Sequence, residues 1–244
     1  MKLLTRYMQR YLTKRNLLFV AVFALVGFIA LQIPVAQVAG SRATFTVYDA
    51  FAPIASAFIG SIPGVVAVFL MQFFNFLVHG AHIEDAGTII RFFPMLFAAL
   101  YFAKKGKFNL IIPAIAIVAF VAHPIGRTVW YFALFWTIPI AAYFLRDRSL
   151  LARALGATFT AHAVGGALWI WTFSLPAPVW NSLIPVVAAE RLLFALGITG
   201  SFVLVNNLLC FLEKKHILEL GFHINQKYLM YPLRDSYAKT RTLT

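Results

Sequence analysis

The sequence has one cysteine, Cys210, so no disulfide between its own residues can hold it together, and it has only eight acidic residues among 244. With 12% charged residues it cannot cover itself with the polar skin of an ordinary soluble domain. It also lacks G-x-x-x-x-G-K-[ST], G-x-S-x-G and H-E-x-x-H. Those absences exclude phosphate-loop ATP hydrolysis, nucleophile-elbow chemistry and zincin-type metal chemistry as readings of this chain. Long polar linkers are missing too, which argues for one body without a second domain.

What fills the chain is apolar: 61% hydrophobic residues and 16% aromatic ones, in runs that recur from Leu17 to Leu212. Runs of this length and composition predict a polytopic transmembrane helix bundle of all-α class. Eight segments are expected: 17 to 39, 44 to 59, 63 to 79, 88 to 103, 108 to 123, 128 to 145, 150 to 174 and 181 to 212. The second and third, at 16 and 17 residues, are short against the roughly 20 a spanning helix needs. They either stand upright or are partly re-entrant. The expected division is a basic head (1–16), the bundle (17–212) and a basic tail (213–244).

A net charge of +13 would suggest nucleic acid in a soluble protein, but its distribution points to a membrane. Residues 1 to 16 hold five bases and no acid, ahead of an apolar run too long for a signal-peptide core. If that head is cytoplasmic, seventeen of the 21 Lys and Arg fall on cytoplasmic segments. These are the head, Lys104, Lys105 and Lys107, Arg146, Arg148 and Arg153, and the tail bases. Arg42, Arg91, Arg127 and Arg191 fall at outer ends or inside helices. The positive-inside rule then puts both termini in the cytoplasm of a multi-pass plasma-membrane protein. The tail from His223 to Tyr228 is expected against the anionic inner leaflet or a partner.

Polar groups at membrane depth are the candidates for function, because each is costly there. Glu190 and Arg191 lie inside the last helix. As neighbours on a helix they point to different sides, so each is expected to find another partner among Asp49, His82, Glu84, Asp85, His123 and Arg127. His162, Gly165, Gly166 and Trp169 share a helix face that suits close packing. Arg127 with Trp130 could hold an anionic or aromatic ligand. Trp169, Trp171 and Trp180 suit an interfacial aromatic belt. His79-x2-His82 is a weak metal spacing, and a metal carrier would require His79, His82, His123 and His162 to converge.

A family resemblance rests on the stretch from the first apolar run to Lys105. The features are the polar β-like loop Thr44-Phe45-Thr46-Val47-Tyr48-Asp49-Ala50-Phe51-Ala52-Pro53, the break Gly60-x2-Pro63-Gly64, the helix ending Asn75-Phe76-Leu77, and the run Ala98-Ala99-Leu100-Tyr101-Phe102-Ala103-Lys104-Lys105. Together they resemble the substrate-binding S components of energy-coupling-factor vitamin transporters; residues 181 to 215, with Pro185 and Glu190 or Arg191, resemble them more loosely. The Pro-x-Asn-x-x-Lys pattern of riboflavin-type members is absent. The resemblance implies a six-helix core with an added pair in 108–174. It implies a binding protein, not an enzyme, with no cofactor, that passes a vitamin or precursor inward with a membrane coupling subunit and separate ATPase subunits. Small residues for docking that subunit would be Ala21, Ala24, Gly27 and Ala30. The expected ligand residues are Tyr48, Asp49, Asn75, His79, Arg127, Trp130, His162, Trp169 and Glu190, with membrane lipids as surroundings and no nucleic acid. An accessory structural subunit of a larger membrane complex is the rival reading.

Overall fold

The computed structural model describes residues 14–37, 44–215 and 223–230. The head up to residue 13, Arg42 and most of the tail lie outside the described residues. The described residues are mostly helical, with one small hairpin. Helix α1 (Lys14–Leu31) stops short of the expected residue 39, because the Pro34 ring removes a backbone donor and turns Ile33 out of helical geometry. The chain continues as β1 (Pro34–Gln37), antiparallel to β2 (Thr44–Thr46), with Ala36 opposite Phe45 and Gln37 opposite Thr44.

The segment expected over 44 to 59 is no continuous helix. It runs from β2 through 3-10 turns at Val47–Ala50 and Ala52–Ile54 into α2 (Ala55–Ile59). The break before α3 (Ser61–Val78) needs both of its glycines. Gly60 has φ of 95°, a region that side chains avoid, and a Cβ on Gly64 would strike the Ser56 backbone.

Asp85 opens α4 (Ala86–Ile90) by accepting the Thr88 N–H at 3.1 Å, an ordinary N-cap. There follow α5 (Pro94–Ala103), α6 (Phe108–Ala122), α7 (Pro124–Thr128), a 3-10 stretch Trp130–Thr137 and α8 (Ile138–Leu145). The two long helices are α9 (Leu150–Phe173) and α10 (Ala177–Lys214). At 1.5 Å per residue α10 is about 57 Å long, nearly twice a bilayer's hydrocarbon thickness of about 30 Å.

Among the described residues three helical stretches are long and apolar enough to cross a membrane: Ser61–Val78, Ala86–Ala103 and Ala177–Lys214. Leu18–Leu31, Val47–Ile59, Phe108–Ala122 and Trp130–Leu145 are apolar but shorter.

Helix α9 packs most extensively on α5, made possible by Gly156, where a Cβ would run into the Tyr101 ring. The small-residue stripe of α1 is partly consumed inside the molecule. A Cβ on Gly27 would collide with the Met71 thioether, and Ala30 is buried. Only Ala21 is exposed, so the stripe is not a continuous docking face.

The basic residues at the end of α5 serve the fold. Arg153 donates through Nε to the Phe102 carbonyl at 2.5 Å and through Nη2 to that of Ala103 at 3.0 Å. Arg146 donates to the Lys104 carbonyl at 3.1 Å. These are orphan acceptors at a helix C-terminus, where cations also meet the negative end of the dipole. Lys105 and Asp147 join across the same end at 3.0 Å.

The described part of the tail, residues 223–230, is tied to the last helix. Asn206, fully buried, donates to the Asn225 carbonyl at 3.0 Å and accepts the Asn225 N–H at 2.8 Å. Asn207 does the same for Tyr228 and Met230, so residues 223–230 lie along α10 as a strap. Two adjacent amides on one helix make it possible, because a carboxamide matches a backbone donor and acceptor at once.

Candidate functional site

A chamber lies where the hairpin, the end of α4, the start of α5, the middle of α9 and the first half of α10 meet. Its volume is about 140 Å³, close to the roughly 150 Å³ of an engineered cavity that holds benzene, and therefore room for a small organic molecule. Most of the wall is apolar: Ile90, Met95, Phe132, Trp169, Trp180 and Val187 among others. The polar lining is Gln37, Asp49, Gln72, Arg91, His162, Glu190 and Arg191. A mostly apolar cavity with a few convergent polar groups is the usual form of a small-molecule site.

Asp49 reaches the chamber because the short strand β2 is followed at once by a tight turn. Its Oδ2 accepts the Thr46 N–H at 2.7 Å and faces Arg91 Nη2 at 3.6 Å. Tyr48, beside it, is buried with its hydroxyl donating to the Val68 carbonyl at 2.8 Å and accepting from Gln72 at 3.2 Å. It supports the wall and does not line it.

Phe45 sits among the charges. The Arg191 guanidinium lies 4.5 Å from its ring centroid and that of Arg91 lies 5.5 Å away, both within cation–π range.

Arg191 is 1% exposed. Glu190 and Arg191 do meet, at 3.6 Å between Oε2 and Nη2, against the expectation for adjacent helix positions. The long guanidinium arm swings back so that both heads line the same chamber. This separation is an ion pair but too long for a hydrogen bond. Arg191 Nη1 makes a long bond to the Thr158 hydroxyl at 3.5 Å. Arg191 Nε and Nη2, and Arg91 Nη1, are buried with no hydrogen-bond partner among the described residues.

His162 lines the chamber through a fixed tautomer. Trp136 Nε1–H can only donate, and it donates to His162 Nδ1 at 3.0 Å. That leaves Nε2 of the neutral ring as a further N–H donor. Trp136 gets close because Gly166 has no side chain: a Cβ there would sit 2.6 Å from the indole. The packing face read from the sequence thus presents the histidine.

Of the nine residues singled out from the sequence, the structure brings Asp49, His162, Trp169 and Glu190 together in the chamber wall. Asn75 and His79 lie towards the end of α3, bonded to Gln32 and to the Asn75 carbonyl respectively. Arg127 and Trp130 are exposed on and beside α7. The belt reading does not fit Trp169 and Trp180, which are 7% and 3% exposed. Position 171 points away from 169 on a helix, and Trp171 is the exposed one.

Sequence reasoning missed Gln37, Phe45, Gln72 and Arg91 as lining residues. Arg91 had a usable signal, as one of four bases outside the predicted cytoplasmic set. The four histidines do not converge. Among the described residues no three His, Cys, Asp or Glu stand close enough to hold a metal ion.

No family model and no solved structure matches the chain. It is 23% identical over 211 residues to an uncharacterized protein of Methanocaldococcus jannaschii, covering 78% of this chain and 70% of that one.

Proposed function

We propose that this chain is a multi-pass plasma-membrane binding subunit for a small molecule. Its bundle would have about eight membrane segments, with both termini in the cytoplasm. The resemblance to S components makes the uptake of a vitamin or precursor, energised by a coupling subunit and separate ATPase subunits, the favoured activity. The observation that carries the reading is the chamber. Two guanidiniums and two carboxylates surround an apolar cavity, and buried N–H groups there lack acceptors. A buried donor left unsatisfied costs about 1–3 kcal/mol, and more when charged, so a purely structural role gives no reason to keep several at one cavity.

The accessory-subunit reading would be favoured by a solid interior. The test is mass spectrometry of protein purified in mild detergent. A bound small molecule is expected, with its occupancy lowered at least tenfold in Glu190→Ala and Asp49→Ala. Unchanged occupancy in both variants would remove these residues from the site. A protein that never carries a molecule would leave the structural subunit standing.

A further inference from the structure

We infer that the chamber's ligand carries a carboxylate, bound side-on by Arg191. This rests on the reading of the chamber as a ligand site and names the chemistry it selects. A guanidinium has two kinds of edge, and Nε–H with the neighbouring Nη2–H forms the side-on fork. In Arg191 this edge has no hydrogen-bond partner among the described residues, its Nη2 standing 3.6 Å from Glu190 Oε2 as an ion pair, while Nη1 is turned to Thr158. Two parallel N–H donors ask for two acceptor oxygens a fixed distance apart, which a carboxylate supplies and a lone carbonyl does not. Arg91 Nη1, also unpartnered, lines the same chamber and shares the Phe45 ring with Arg191, so it adds a third donor to that region.

The charges set the limits. The chamber's cations are Arg91 and Arg191, and its anions are Asp49 and Glu190. Asp49 already holds the Thr46 N–H and faces Arg91, and Glu190 faces Arg191. A phosphate dianion would therefore find no cation to spare. One carboxylate leaves a single excess negative charge, which disappears if the ligand carries an amine towards Glu190. Simple acids and amino-acid-like zwitterions share the carboxylate, and Phe132, Trp169 and Trp180 offer a flat body its wall.

The test is isothermal titration calorimetry on the full-length protein in detergent with three probes on one body: 3-phenylpropionate, 3-phenylpropionamide and L-phenylalanine. The mass of any co-purified molecule is read alongside. At least one carboxylate probe is expected to bind tenfold or more tighter than the amide. Arg191→Lys, which keeps the charge but loses the fork, should erase that difference. Arg191→Gln serves the same purpose if the lysine variant does not fold. Tighter binding of the acid over the zwitterion, or the reverse, tells which form the site balances.

An amide bound within tenfold of both acids overturns the carboxylate assignment and leaves the chamber as a ligand site. A difference that survives both Arg191 variants overturns it also. If no probe binds, the co-purified molecule decides: one with a carboxyl group upholds the assignment and one without overturns it. No probe bound and no molecule carried brings down this inference and the binding reading together.

Discussion

Gly166 shows how much hangs on one missing methyl group. A Cβ at that position would meet the Trp136 ring, which is fully buried and donates to His162. Gly166→Ala should therefore cost about 1–3 kcal/mol by overpacking and break the bond that fixes the His162 tautomer. A lowered melting temperature, with weakened retention of any co-purified ligand, would check it. An unchanged melting temperature would mean the indole has room to move. The sequence pattern made this face legible as a close-packing face. It could not tell that the glycine serves a tryptophan 30 positions away on a 3-10 stretch, since that partner comes from tertiary contact alone.

Among the elements, the C-terminus of α5 is held by side chains. Arg153 and Arg146 fill acceptors that no helix can fill for itself. Arg153→Met should destabilise the protein by about 1.5–3 kcal/mol, the range for a hydrogen bond to a charged group. Arg148→Met, whose side chain makes none of these bonds, should have little effect; equal losses in a paired thermal-unfolding measurement would contradict the clamp.

Lys105 and Asp147 join at the same end, and the hydrogen bond from Lys105 holds the Asp147 carboxyl below its ordinary value. A depressed carboxyl pKa stabilises above the unfolded value of about 3.9 and stops doing so as pH falls through the folded value. The pair is mostly exposed, so its worth is at most about 1 kcal/mol. Wild type should exceed Asp147→Asn by this small margin at pH 7, and the margin should shrink as pH falls below the unfolded value and vanish once the lower folded value is passed. A margin that grew on acidification would have the wrong sign.

The whole molecule raises the question of orientation. The chamber and the α5 clamp lie at different ends of α5, with Pro94 and Met95 lining the one and Phe102 and Ala103 forming the other. In the proposed topology the clamp end is cytoplasmic. With Cys210→Ala as background, Lys107→Cys should react with an impermeant maleimide only after the cells are opened. His79→Cys should react in intact cells. The opposite pattern would invert the bundle and turn the chamber inward.

Composition alone determined that this is a helical chain rich in apolar runs, because the ban on unsatisfied backbone in lipid leaves few alternatives for such sequence. Local chemistry also marked the breaks at Gly60 and Asp85, though not the one at Pro34, and it marked Asp49, His162 and Glu190 as polar groups worth watching. Only the tertiary structure decided that Arg91 and Arg191 lean over one phenylalanine, that Glu190 and Arg191 face each other, and that the strap lies on its own helix. Those pairings join residues dozens of positions apart or turn on which way a long arm swings. Packing of the whole chain fixes them, and periodicity along one segment carries no record of it.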